Sequence, residues 1–241
     1  MKKLVLSLCL LPLLAAAASA DPFSDFKTYA SGALLKPFAA DLGGVIGAND
    51  FNSGRSLGFP GFEAGITAGI QAKPANDDRI LRDAKVNAFG VPLLQAGVAL
   101  PFVGADVMAR GTGYSGFSVI GGGLRKSLLK SGTLTKFIPD VSVAVWYDVI
   151  NYDYFKGSHM SFDASASFDI PVVKPFVGVG LDRTRLEIKN IAGLSGTDGT
   201  ISKPRYTFGV RLSPLPLVYV YGAYNILHGQ AGYSLGTGIK F

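Results

Sequence analysis

Cysteine is almost absent from this chain. The single one, Cys9, lies inside the first apolar run, so everything beyond it has no disulfide framework and no thiolate metal site. Leu8 stands where a lipoprotein signal wants a small residue, and the apolar run surrounds Cys9 instead of preceding it, which argues against lipidation. Histidine is nearly as scarce. His159 and His228 are the only two, which points away from a transition-metal site. Charged residues make up only 17%, and the net charge of +6, to which Lys2 and Lys3 contribute, is spread without any basic run. That pattern implies no nucleic-acid partner. No glycine-rich phosphate loop follows a strand and opens a helix, so no cofactor is expected. Beyond the first twenty residues there is also no apolar stretch of about 18 residues, hence no membrane-spanning helix. Yet 48% of the residues are hydrophobic and the mean hydropathy is +0.31. Such a chain must bury its apolar surface in a large core or show it to lipid.

Residues 1–20 combine a basic start, a short apolar run and the small-x-small site Ala18-Ser19-Ala20, the pattern of a cleaved signal peptide with Ala18 and Ala20 at the cleavage site. The remainder divides into an amino-terminal helix and linker, 21–60, and a strand-rich region, 61–241.

Period-two alternation dominates the second region. It is cleanest at 159–170, where Met160, Phe162, Ala164, Ala166, Phe168 and Ile170 oppose His159, Ser161, Asp163, Ser165, Ser167 and Asp169. The opposing face carries Ser and Asp where a water-facing sheet would carry Lys or Glu, which suits a crowded lumen. Similar segments span 61–73, 91–102, 105–114, 117–126, 141–150, 174–188, 205–213, 217–227 and 231–241. Several approach the nine to eleven residues that a tilted strand needs to cross a bilayer. Connections alternate in the expected way, longer at 74–90, 151–158 and 189–204 on the outer side and mostly short on the inner side, with 115–116 and 127–140 as exceptions. An open sheet edge in hydrocarbon would leave its backbone groups unpaired, so the sheet must close. The expected fold is therefore all-β: a transmembrane antiparallel up-and-down β-barrel of about ten strands, or eight or twelve if a segment is split or merged, with a short amino-terminal helix. The expected location is the outer membrane of a Gram-negative bacterium. Aromatic residues 146, 147, 152, 154, 155, 219, 221 and 224 read as girdle positions, with Trp146 as a candidate for the inner face.

Within 21–60, Phe23, Phe26, Ala30, Ala33, Leu34 and Phe38 recur at helical spacing until Pro37 and Gly43-Gly44 break the pattern, and 49–54 and 58–61 read as turns. This segment either packs on the periplasmic rim or plugs the lumen. The final strand places Ser234, Gly236, Ile239 and the terminal Phe241 in the pattern of an outer-membrane assembly signal. The amino-terminal helix, the linker 51–62, the stretch 91–102 and residues 236–241 resemble an uncharacterised family of bacterial outer-membrane β-barrel proteins. More distantly, the chain is similar to the long-chain fatty acid transporter class, and that resemblance implies an amino terminus that plugs the barrel.

Charges expected in the lumen are Glu63, Asp106, Arg110, Arg125, Asp148, Asp163, Asp169, Asp182, Arg205, Arg211 and Lys240. Mixed signs in a narrow space suit a bracing network, or a charge-lined solute path. His159, Ser161 and Asp163 share a strand face at about 6–7 Å per step, which would suit acyl hydrolysis, but nothing marks an oxyanion hole and no catalytic residue is assigned. Asp77, Asp78 and Asp83 read as a solvated loop face and no metal site is assigned. The favoured function is a passive channel or a binding and transport barrel for a small solute, an apolar one included. A non-transporting structural or surface-interaction barrel is the alternative, and an outer-membrane hydrolase the second alternative. Partners implied are outer-membrane lipids, the barrel-assembly machinery and the small-molecule solute.

Overall fold

The computed structural model describes residues 22–132 and 138–241. The signal peptide assigned to residues 1–20, with Ala18 and Ala20, lies outside the described residues. Ten antiparallel strands close into one barrel, each paired with its chain neighbours and the first with the last. They are β1 Phe62–Gln71, β2 Phe89–Ala99, β3 Ala105–Tyr114, β4 Phe117–Leu129, β5 Asp140–Asn151, β6 Phe155–Ser167, β7 Val173–Ile188, β8 Asp198–Leu215, β9 Val218–Leu227 and β10 Gln230–Lys240. The seam sets Ala68 opposite Leu235 and ends where the backbones of Phe62 and Phe241 exchange two hydrogen bonds, with the two rings stacked at 4.4 Å. Two-residue turns at Ser115-Gly116 and His228-Gly229 have φ > 0 at both positions, the geometry that matches the twist of a tight hairpin.

Alternation decides which side of the wall each residue faces. Leu94, Ile120, Leu124, Phe162, Val177, Val179, Leu181 and Phe208 point outward and are exposed, forming an apolar belt. Ser161, Ser165, Thr207, Asn225 and Ser234 point inward and are buried. A closed, even-stranded antiparallel barrel with an apolar outside and a polar inside is built for the outer membrane, and that is where this protein resides. No helix among the described residues is long and apolar enough to cross a membrane.

Two expectations about the wall need correcting. β6 begins at Phe155 and β8 at Asp198, earlier than the alternation suggested, so the outer connections shrink to 152–154 and 189–197. Phe155 is inward and buried, so the alternating pattern already runs through it. The girdle is also smaller. Tyr147 and Tyr224 face outward, whereas Trp146, Tyr152, Phe155, Tyr219 and Tyr221 face inward and are buried.

Residues 22–60 occupy the lumen. Helix α1, Phe26–Tyr29, and a 3-10 turn, Gly32–Leu34, lead into α2, Leu35–Gly47. Phe23, Phe26 and Phe38 pack against Phe117, Tyr152 and Phe155, at the ends of β4, β5 and β6 opposite the seam terminus Phe241. The long connection 72–88 and the loop 189–197 identify that end as the outer one. From there α2 descends inside the wall, and residues 48–60 continue to the inner end, where Gly61 donates to the Gly58 carbonyl beside Phe241. Gly43 and Gly44 do not break α2. A side chain at Gly43 would strike Thr184 Oγ1, and one at Gly47 would lie 2.8 Å from Arg205 Nε and Asp182 Oδ2, so these glycines let the helix press against β7 and β8.

Helix α3, Arg79–Asp83, lies within the connection 72–88 and closes the outer mouth, burying Ile80 and Leu81 in the same cluster as Leu35, Phe38, Leu42, Val45 and Ile46. Asp78 caps it, with Oδ1 accepting from the Leu81 amide at 3.2 Å, while Asp41 of α2 accepts from the Ala75 amide at 2.7 Å. Burial and the neighbouring Asp41 carboxyl push Asp78 up to about 8, and burial raises Asp41 as well. The folded cap therefore holds a proton that the unfolded chain releases near pH ~3.9. The contribution of this carboxyl to stability is fully present below that value and is lost as pH rises through about 8. Thermal unfolding across this window reads the slope, and Asp78→Asn is expected to flatten it. An unchanged slope would place the proton elsewhere.

Candidate functional site

The lumen holds two polar layers beneath the apolar cluster, and both are built around residues of the 48–60 segment. Asp50 is the centre of the upper layer. Its Oδ1 accepts from Arg110 Nη1 at 2.6 Å, and its Oδ2 accepts from Arg205 Nη2 and from Ser161 Oγ, each at 2.6 Å. Its backbone carbonyl accepts from Trp146 Nε1 at 3.2 Å. Arg110 also grips Asp148 with two nitrogens, at 2.8 and 2.6 Å, and lies 4.2 Å over the Trp146 ring. Arg205 bonds Asp182 at 3.0 Å and Asp163 at 2.8 Å. The ion-paired side chains of this layer are at most 1% exposed. Charges stripped of water are costly unless paired; each of these meets at least one opposite charge, and Arg205 Nη1 alone is left without a hydrogen-bond partner in the layer's ion pairs. Two histidines border the layer. His228 places Nδ1 2.7 Å from the Ala40 carbonyl and Nε2 2.9 Å from Asp182 Oδ2, whereas His159 places Nδ1 3.0 Å from Thr184 Oγ1.

The lower layer is looser. Asp106 accepts from Arg125 Nε at 2.8 Å and from the Leu57 amide at 3.0 and 3.1 Å. Arg55 donates to Asp169 at 2.7 Å, and Lys174 donates to the other oxygen of Asp169 at 2.5 Å. Arg211 bonds Asn52 at 2.6 Å, reaches Glu63 at 3.4 Å and lies 3.7 Å over the Tyr219 ring. Below these contacts opens a vestibule of about 420 Å³ lined by Arg55, Asp169, Lys174, Arg211, Tyr219 and Lys240.

The eleven charges picked out by alternation thus fall into separate groups. Arg110, Asp148, Asp163, Asp182 and Arg205 gather around Asp50, Asp106 pairs with Arg125, and Glu63, Asp169, Arg211 and Lys240 border the inner mouth. Sequence reasoning missed Asp50 and Arg55, since a turn reading of 49–54 gives no hint that its acid meets two arginines far along the chain. His159, Ser161 and Asp163 do share a face; Ser161 Oγ donates to Asp50 at 2.6 Å and lies 3.4 Å from Asp163 Oδ2, while His159 Nδ1 lies against Thr184 Oγ1. Asp83 pairs with Arg79 at 3.1 Å on the exposed side, but Asp78 is fully buried as the cap of α3, so the outer-loop acids are not all a solvated face. In β10, Ser234 and Gly236 face the lumen while Ile239 and Phe241 face outward and are exposed.

No protein-family model matches the chain, and no curated protein matches it in sequence. Solved structures do match. The amino-terminal β-barrel domain of Pseudomonas aeruginosa OprF is 17% identical, covering 76% of this chain and 98% of its own, with a TM-score of 0.34. Ail, the attachment invasion locus protein of Yersinia pestis, is 12% identical over 76% of this chain and all of its own, with a TM-score of 0.34. The translocator domain of the autotransporter NalP from Neisseria meningitidis is 13% identical over 84% of this chain and 95% of its own, with a TM-score of 0.41. These are bacterial β-barrels, and likeness at such identities does not extend to activity.

Proposed function

We propose that this protein is a sealed, non-conducting outer-membrane barrel: a rigid scaffold that presents an outer cap formed by 72–88 and 189–197. The observation that carries this reading is the Asp50 layer, in which the internal segment is ion-paired to β3 and β8 with no exposed side chain at the contact. Above it, Leu35, Phe38, Leu42, Val45 and Ile46 are fully buried, so the segment serves as core and not as a loose stopper. Outer-membrane lipids would wet the belt, and the barrel-assembly machinery would read Ser234, Gly236, Ile239 and Phe241. No enzymatic role is part of this reading. Purified protein in planar bilayers is expected to give no conductance steps, and stable porin-like steps would overturn the proposal.

A second reading, gated passage of a small solute, is favoured by the inner vestibule. Its Arg55, Lys174, Arg211 and Lys240 would suit an anionic solute better than an apolar one. The distant resemblance to fatty acid transporters fits a plugged barrel of this kind. Conductance that appears only in Asp50→Asn would support gated passage over a permanent seal.

A further inference from the structure

The Asp50 layer contains more carboxylates than its cations account for. Asp50, Asp148, Asp163 and Asp182 are all buried, and facing them are the guanidiniums of Arg110 and Arg205 and the ring of His228. His228 is hydrogen-bonded at both ring nitrogens, to the Ala40 carbonyl and to Asp182. His159 differs. It is fully buried, and its Nε2 has no hydrogen-bond partner. Its donor atom and one carboxylate oxygen each from Asp50 and Asp182 lie within 4.8 Å of one another.

With Thr184 Oγ1 accepting from Nδ1–H, Nε2 carries a lone pair without a partner on a ring that sits beside two carboxylates. Lone pair against carboxylate is repulsive in a dry interior, and a cation between them turns that repulsion into three bonds. A ring fixed through its far nitrogen by a hydrogen bond is the arrangement that orients metal-ligating histidines. One imidazole and two carboxylates form a nitrogen–oxygen donor set suited to zinc-class ions, and less to calcium or magnesium, which favour all-oxygen shells. Oδ2 of each acid already accepts two donors, Asp50 from Arg205 and Ser161 and Asp182 from Arg205 and His228, whereas Oδ1 of each accepts from one arginine, Arg110 and Arg205 in turn, and keeps a lone pair for a cation.

We propose that Asp50, His159 and Asp182 bind one divalent transition cation of the zinc class, joining the internal segment to β6 and β7. This departs from the sequence expectation of no metal. It holds whether the barrel is permanently sealed or gated, so failure of the conductance test would leave it standing.

Because the site is enclosed, metal must be supplied during folding. Protein refolded with zinc, then passed over chelating resin, is expected to retain one zinc per barrel by elemental analysis and to unfold at a higher temperature than protein refolded with chelator. His159→Gln should abolish both effects, while Thr184→Val, acting through the ring, should weaken zinc by roughly 10–100-fold. Asp83→Asn, on the outer loop, should change neither. Cobalt in the wild-type barrel should give the visible absorption of a nitrogen–oxygen site, a readout that does not depend on any variant folding. Wild-type barrel that retains neither zinc nor cobalt overturns the proposal, as does equal retention in His159→Gln.

Discussion

Asp50→Ala is expected to lower the unfolding free energy by about 3–5 kcal/mol, the range for removing one partner from a buried ion pair. Truncation leaves Arg110 and Arg205 without a shared acceptor in a region closed to water, while Asp148, Asp163 and Asp182 still hold them there. Ser161 loses its 2.6 Å acceptor as well. Urea unfolding in lipid vesicles, followed by the loss of the compact form on unheated gels, measures the change. A second substitution tests the cause. Asp50→Asn, which keeps a carbonyl acceptor for the arginines, should lose less than Asp50→Ala, because the cost lies in unpaired buried donors and not only in a missing contact. A loss below about 1 kcal/mol, the range of an exposed pair, would mean that water reaches the layer.

Phe38→Ala is expected to cost about 3–5 kcal/mol, as for a large aromatic removed from a close-packed core. Its ring is fully buried, with centroids 5.0 Å from Phe26 and 5.2 Å from Phe155. One neighbour belongs to the internal segment and the other to the wall, so the cavity opens between them. A smaller penalty is expected for Phe38→Leu, which keeps most of the volume. Near-equal midpoints for wild type and Phe38→Ala would mean that α2 rests against the wall without serving as its core.

The wall was largely legible because a strand leaves a strong local trace. Parity alone set Phe162 outward and Asp163 inward, and closure followed from the cost of unpaired backbone in lipid. The helix boundary was not legible, because Gly43-Gly44 normally ends a helix, and only the proximity of Thr184 and Leu227 explains their place inside one. The same limit hid the centre of the site. Asp50 lies far from Arg110 and Arg205 in sequence, and no spacing rule links an acid in a turn to two strand residues that meet it only once the barrel has closed. The aromatic positions failed for a related reason. Tyr219 and Tyr221 carry no mark that separates a ring under Arg211 or beside Phe176 from a ring at the headgroups.

Trp146 is the only tryptophan of the chain, and it sits where the internal segment meets the wall. Its indole N–H is tied to the Asp50 carbonyl and its face lies under the Arg110 guanidinium. Seating of that segment thus comes with a native fluorophore: emission from a dry, cation-capped indole shifts and quenches differently once water replaces the carbonyl. Departure of the segment can be followed optically in the unlabelled protein, one molecule population at a time, without touching any residue that holds it.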